Sequence, residues 1–240
     1  MNSYSVSIVV PVYKNEGSIE HLLKRINEVS TAVTGSVEAV FVVDGSPDKS
    51  LEALRSSLPR DGFDAKVLLL SRNFGAFSAI RAGLREASGE ATVVMAADLQ
   101  EPTSLILDML GIVQHDEADV AVGVRQSRKD GVVSRTLSAV FWKVFNRVSS
   151  LELPRGGVDI FALSRSARET LNSFEESSTS LIGLIYWMGF RRQEVPYHRV
   201  ERQVGKSSWS LQKRINYAKD SITAFSEFPL SVFLWSGVVG

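Results

Sequence analysis

Val93–Pro102 reads VVMAADLQEP, a run of branched and small apolar residues that stops at an aspartate, a glutamine, a glutamate and a proline. A short apolar run of this kind reads as a strand buried on both faces. The carboxylate falls at the tip of the run, so Asp98 marks the point where the chain leaves the sheet for a loop. Ala96, two residues earlier, is the odd position in this stretch.

Outward from this strand the same alternation repeats. Val6–Tyr13 (VSIVVPVY) reads as strand one, followed by a helix with Ile19, Leu22, Leu23, Ile26 and Val29 at helical spacing. VEAVFVV, AKVLLL, ATVVMAA and ADVAVGV supply strands two to five, separated by the amphipathic stretches DKSLEALRSSL, GAFSAIRAGLREA and TSLILDMLGIVQ. Apolar strands alternating with helices predict an α/β fold with a mostly parallel sheet covered on both faces. In such sheets ligands bind beyond the carboxyl ends of the strands. That rule selects the loops 11–16, 44–48, 71–75, 98–102 and 125–128 as the default site.

Past Gly131 the pattern loosens. An amphipathic helix with Phe141, Trp142 and Phe145 is expected first, then a strand at VDIFALSR and a helix ending at Gly189. RQEVPYHRV reads as a further extended piece, and a basic, aromatic helix follows from about Gln203. The tail FPLSVFLWSGVVG (228–240) is apolar and uncharged but shorter than the roughly 20 residues of a bilayer span. It is read as a buried terminal segment or as the start of a transmembrane helix. The expected division is a catalytic domain over 1–210 and a membrane-proximal region over 211–240.

Composition sets outer bounds. The chain has 240 residues, 44% of them hydrophobic, enough for a packed core. Lys plus Arg and Asp plus Glu both total 27, so no overall charge points to nucleic acid. The absence of cysteine excludes disulfides and thiolate metal sites. The N-terminus has no basic region ahead of an apolar one, so no signal peptide is expected.

Each chemical candidate has a structural alternative. Asp98 could hold a divalent cation through hard oxygens or could cap the helix that begins near Pro102. Asp44, in VVDGSPDKS, could accept a hydrogen bond from a base or ribose, or could serve only the turn. Arg72 lies before a helix N-terminus, a natural anion site. Arg125, Arg128, Lys129 and Arg135 form a basic run that is either a solvated face or a phosphate clamp. Asp159 opens an apolar strand, as a buried structural carboxylate or a reacting one. Arg202, Lys206, Lys213 and Arg214 beside Trp209 and Tyr217 suit anionic headgroups. The three histidines show no ligand spacing.

Taken in order, PVYKNE, VVDGSPD, SRNFG, MAADLQEP, the later GVR, VSR and GGVDIFALSR, and RQVGKSSWS resemble the motifs of family 2 inverting glycosyltransferases of the GT-A fold. The likeness is to those that act on polyprenyl or dolichyl phosphate. It implies that Pro11, Tyr13, Glu16, Val42 and Asp44 line a nucleotide pocket, with Arg72 on the same rim. Asp98 and Gln100 would hold Mg2+ or Mn2+ against the diphosphate. Arg125 and Arg202 would grip the donor phosphates, Arg135 the acceptor phosphate, and Asp159 would be the base or orienting carboxylate. The resemblance implies a UDP- or GDP-sugar donor, a polyprenyl phosphate acceptor and the cytoplasmic face of the inner membrane. Nucleic acid is not a partner, and homo-oligomer formation is left open.

Three departures stand out. Ala96 replaces the first aspartate of the D-x-D motif, Val43 the first of D-D-G-S, and Ser208 a frequent lysine for which Lys206 could substitute. They leave donor identity open and make weaker metal dependence an expectation. A saccharide acceptor on the same fold, and a catalytically silent sugar-nucleotide binder motivated by Ala96, are the competing readings.

Overall fold

The computed structural model of the chain describes residues 4–126, 154, 158–175 and 180–200. Seven strands form one sheet: β1 (Val6–Val12), β2 (Val37–Val43), β3 (Asp64–Leu69), β4 (Ala91–Val94), β5 (Val120–Arg125), β6 (Val158–Ser164) and β7 (Arg192–Tyr197). Their order is β3-β2-β1-β4-β6-β5-β7. All pairings are parallel except those of β6, which runs antiparallel between β4 and β5. The expected mostly parallel α/β sheet is therefore present, with one reversed strand.

Helices α1 (Ile19–Ala32), α2 (Ser50–Ser57) and α4 (Thr103–Gln114) contribute to one core with the face of β1 and β2 that carries Ile8, Val10, Ala39 and Phe41. α3 (Ala76–Glu86) packs on the other face. The alternation of strand side chains explains the division: Val9 and Val42 point the opposite way, to Gly83 of α3, where an added Cβ would come within 2.4 Å of Val9. The helix approaches the sheet that closely because residue 83 has no side chain.

Two features differ from the sequence reading. The helix α5 (Arg165–Ser173), on β4 and β6, was not expected. Its buried residues are Ala167, Arg168 and Leu171, too narrow an apolar stripe to announce a helix. β3 is an edge strand with Val67 and Leu69 exposed, so the sheet is not covered there.

By its contacts the chain divides into two compact units. The first comprises 1–126, 158–174 and 190–206; the second comprises 127–157, 175–189 and 207–240. Within the second, α6 (Leu181–Trp187) is capped by Ser180, whose hydroxyl accepts from the Gly183 N–H, and Gly189 past its end has φ +74. Among the described residues no helix is long and apolar enough to cross a membrane. The division expected at residue 210, the helix over 132–150 and the apolar tail lie outside the described residues.

Candidate active site

The carboxyl ends of β1, β2 and β3 are joined by hydrogen bonds that start from two aspartates. Asp44, only 2% exposed, accepts from the Phe74 N–H at 2.7 Å through Oδ1 and from the Gly75 N–H at 2.9 Å through Oδ2. Asn73 closes the pair by donating its side-chain amide to the Asp44 carbonyl at 3.3 Å. Gly45 makes this approach feasible: its φ is +55, and a Cβ there would lie 2.4 Å from the Arg72 carbonyl carbon. Of the two roles expected of Asp44, these bonds describe the turn: its oxygens fix the loop before α3.

Asp48 ties the first loop to the second. Its Oδ1 accepts from the Ser46 and Ser50 hydroxyls, both at 2.6 Å, and from the Ser50 N–H at 3.2 Å; its Oδ2 accepts from the Glu16 N–H at 3.1 Å. The two serine oxygens in turn accept from the Lys14 and Asn15 N–H groups at 2.8 and 3.0 Å. Burial pushes the Asp48 carboxyl up, but these hydrogen bonds outweigh it and hold the group below its ordinary value. Glu16 returns a contact by accepting from the Lys49 N–H at 3.2 Å. Lys14 sits in the left-handed region at φ +58 with its ammonium 5.5 Å from the centre of the Tyr13 ring.

This network continues to the strand that opened the sequence reading. The Ser18 hydroxyl donates to the Ala97 carbonyl at 3.0 Å, and Arg25 of α1 donates to the Glu101 carbonyl at 2.7 Å. Between them Leu99 takes φ +59, a conformation a branched-chain residue keeps only where its surroundings impose it. Asp98 does not cap α4: the cap position is Pro102, with no side-chain cap bond. Asp98 Oδ1 accepts from the Gln100 N–H at 3.4 Å, and its Oδ2 lies 3.7 Å from an Arg199 nitrogen. The segment past β7 is laced to this turn, since the Val200 N–H donates to the Gln100 carbonyl at 2.9 Å and the Gln100 side-chain amide to the Val200 carbonyl at 3.3 Å.

Arg125 ends β5, in register with Tyr197, and the Gln126 N–H donates to the Tyr197 carbonyl at 3.0 Å. β6 enters the sheet at this same edge because it is reversed. Its pairing with β5 shifts between Gly123–Ile160 and Val124–Val158, which leaves Asp159 as the extra residue of a β-bulge. Bulges kink a strand locally and occur often beside active sites. Continuing the register of Val94 with Phe161 puts Asp159 level with Ala96.

The expected residues thus divide. Asp44, Glu16, Tyr13, Asp98, Gln100, Arg125 and Asp159 sit at one edge of the sheet, together with the partly exposed Pro11. Arg72 is exposed, with its guanidinium 4.1 Å from the centre of the Phe74 ring. Val42 does not line a pocket: it has no exposed surface and packs toward Gly83 under the rim. Arg135, Arg202 and Lys206 lie outside the described residues. Sequence reasoning missed Arg199 and the joining role of Asp48. Arg199 lies just past a mostly polar, exposed strand, so no apolar run pointed to it.

A reversed strand among parallel ones, with carboxylates and arginines collected at the carboxyl edge, agrees with the α/β fold of the GT-A kind expected from the sequence. Residues 7–171 match the family described as glycosyl transferase family 2. An uncharacterized glycosyltransferase of Bacillus subtilis (strain 168), YkcC, is 34% identical over 97% of this chain and 72% of its own length. The bactoprenol glucosyl transferase of Shigella phage SfV is 32% identical over 97% of this chain and 76% of its own. Among solved structures, the mannosyltransferase PcManGT from Pyrobaculum calidifontis, in complex with GDP-Man and Mn2+, superposes with a TM-score of 0.60. It is 20% identical and covers 87% of this chain and 59% of its own, so it speaks to the fold alone. The chain belongs to glycosyl transferase family 2, and it is a glycosyltransferase.

The donor set at the Asp98 turn fits a divalent cation in a limited way. A carboxylate and a neighbouring amide are hard oxygen donors, and Mg2+ is commonly held by one or two carboxylates with the substrate's phosphates completing its shell. Among the described residues no group of three acidic or histidine side chains collects there. Oxygens brought by the substrate would complete the shell of such a cation.

Proposed function

We propose that this enzyme transfers a sugar from a nucleoside-diphosphate donor to a polyprenyl phosphate at a membrane surface, with inversion at the anomeric carbon. The observation that supports it is the 32% identity with the bactoprenol glucosyl transferase of Shigella phage SfV, which runs over 97% of the chain. In this reading Pro11, Tyr13, Glu16, Asp44 and Arg72 form the nucleotide side of the rim, with Val42 as buried support. Asp98 and the side-chain oxygen of Gln100 would hold Mg2+ or Mn2+; such a cation, when bound, neutralises charge on a departing diphosphate. Arg125, Arg202 and Lys206 grip the donor phosphates.

The chemistry balances without a strong base. An anionic oxygen of the acceptor phosphate forms a bond to the anomeric carbon as the bond to the donor's β-phosphate oxygen breaks, and the nucleoside diphosphate leaves with the electron pair. The acceptor brings its own negative charge, so positioning counts for more than proton removal. Arg135 binds the acceptor phosphate, and Asp159 orients the acceptor. Arginines at the leaving group act where transition-state charge grows.

The test is transfer of radiolabelled sugar from UDP- and GDP-sugars to undecaprenyl phosphate in detergent or vesicles, beside saccharide acceptors without lipid. Transfer to the lipid phosphate is expected; turnover on saccharides alone would refute the reading. Arg135→Ala should raise the KM for the acceptor by about tenfold or more, the equivalent of a charge-assisted contact. Its affinity for the nucleoside diphosphate should stay as in wild type.

A further inference from the structure

Arg199 has no role in the reading above, and its place is unusual. Its guanidinium lies 3.7 Å from Asp98 Oδ2, with the two side chains 30% and 15% exposed. The contact is held by backbone on both sides, through the paired hydrogen bonds between Gln100 and Val200. A guanidinium carries its charge at every pH an enzyme meets, so this turn has a permanent cation beside its carboxylate. Ala96 supplies no second carboxylate to offset it.

We propose that Arg199 is a resident counter-cation for Asp98 that keeps divalent metal off the turn until the donor arrives. A guanidinium beside Asp98 offsets the charge of that carboxylate, so Asp98 attracts a divalent ion less than it would alone in the nucleotide-free protein. A donor diphosphate changes the balance in two ways: it adds oxygens and negative charge for the metal, and it gives the guanidinium a better, bidentate partner. Metal and donor therefore bind cooperatively, and Arg199 passes from the carboxylate to the diphosphate as they do. Arg199 is a positioning residue in this scheme. The inference rests on the reading that the Asp98 turn takes a cation together with a nucleoside diphosphate, and not on which acceptor is used.

The experiment is a Mn2+ titration of the full chain without nucleotide, following loss of the free-ion EPR signal, for wild type, Arg199→Gln, Arg199→Lys and the Asp98→Asn/Arg199→Gln double variant. Thermal melting checks that each is folded. Arg199→Gln should bind Mn2+ about tenfold more tightly than wild type or better, within the usual range of site-to-site coupling. Arg199→Lys, which keeps the charge, should stay near wild type, and the double variant should lose the gain. Adding UDP or GDP should tighten Mn2+ binding more in wild type than in Arg199→Gln. Equal Mn2+ affinity in wild type and Arg199→Gln overturns the proposal, as does a gain that survives in the double variant. No sugar, acceptor or turnover enters the titration, so its outcome is separate from that of the lipid-transfer assay.

Discussion

Two carboxylates at opposite ends of the same sheet are treated very differently. Glu38 in β2 is fully buried. It accepts from the Ser7 hydroxyl at 2.6 Å and from the Ser88 N–H and hydroxyl at 2.6 and 2.8 Å, and pairs with the Lys66 ammonium at 2.8 Å. Asp98, past β4, accepts from the Gln100 N–H at 3.4 Å and faces Arg199 at 3.7 Å. Short contacts to a buried anion stabilise the fold, because leaving that anion or its donors unmatched costs far more than any one bond gains. Asp98 is the more exposed of the two, so a ligand can reach it as it cannot reach Glu38. At the carboxyl edge the tightly held Asp44 and Asp48 brace the rim around it.

The strongest way to break this contrast is at Asp98. Asp98→Ala should lower transfer by about 10²–10³-fold, the usual cost of losing one charge-stabilising group at a reacting centre. Stability should change by no more than about 0.5 kcal/mol, as for a substitution outside the core. A large fall in melting temperature with activity per folded molecule preserved would assign Asp98 to structure instead, and would also leave the silent-binder reading standing.

Glu38→Gln is the converse. It keeps the shape but loses the charge that Lys66 and three hydrogen-bond donors face, so a loss of about 2–3 kcal/mol is expected from the charged hydrogen bonds alone. For a domain of this size that corresponds to roughly 5–10 °C in melting temperature. Nucleoside diphosphate affinity of the folded fraction should be unchanged. A melting temperature equal to wild type would show that the amino-edge cluster is not where the fold is secured.

Much of this division was legible beforehand, and the reasons it was legible are specific. Val93–Pro102 showed the strand, its end and its carboxylate, because an apolar run and a charged exit differ in composition. The order of strands one to five and of the helices between them followed from periodicity. The insertion of β6 between β4 and β5 did not, since a strand's neighbours depend on contacts distant in sequence. Asp44 was placed at the rim with its partner left open between the turn and a nucleotide: the type of residue indicates a hydrogen bond, whereas only the approach of the 72–75 loop, permitted by Gly45, shows which N–H groups of the chain it accepts from. Glu38 carried no signal at all, being one acidic residue inside VEAVFVV whose donors come from two other strands and a loop. Arg199 was passed over because its strand is short and polar.

The finest test separates the rim's own joints from its reacting groups. Asp48 is held below its ordinary value of 3.8 by the hydrogen bonds that tie the 11–16 and 44–50 segments together. A carboxyl depressed in the folded state binds protons more readily in the unfolded one. Its stabilisation is therefore complete above 3.8 and is lost as pH falls from there through the lower folded value. Asp48→Asn cannot accept at every oxygen that Asp48 uses, and should cost about 1 kcal/mol, or roughly 2–4 °C, at neutral pH. Because the variant has no carboxyl to titrate at that position, the gap in melting temperature between it and wild type should narrow as the solution is taken below pH 3.8. A gap that stays constant or widens in acid would mean that the charge of Asp48 is not what joins these loops. Nucleoside diphosphate affinity at neutral pH, expected to fall several-fold as the Glu16 N–H and the Ser50 hydroxyl lose their anchor, then tells whether the nucleotide side of the rim depends on that joint.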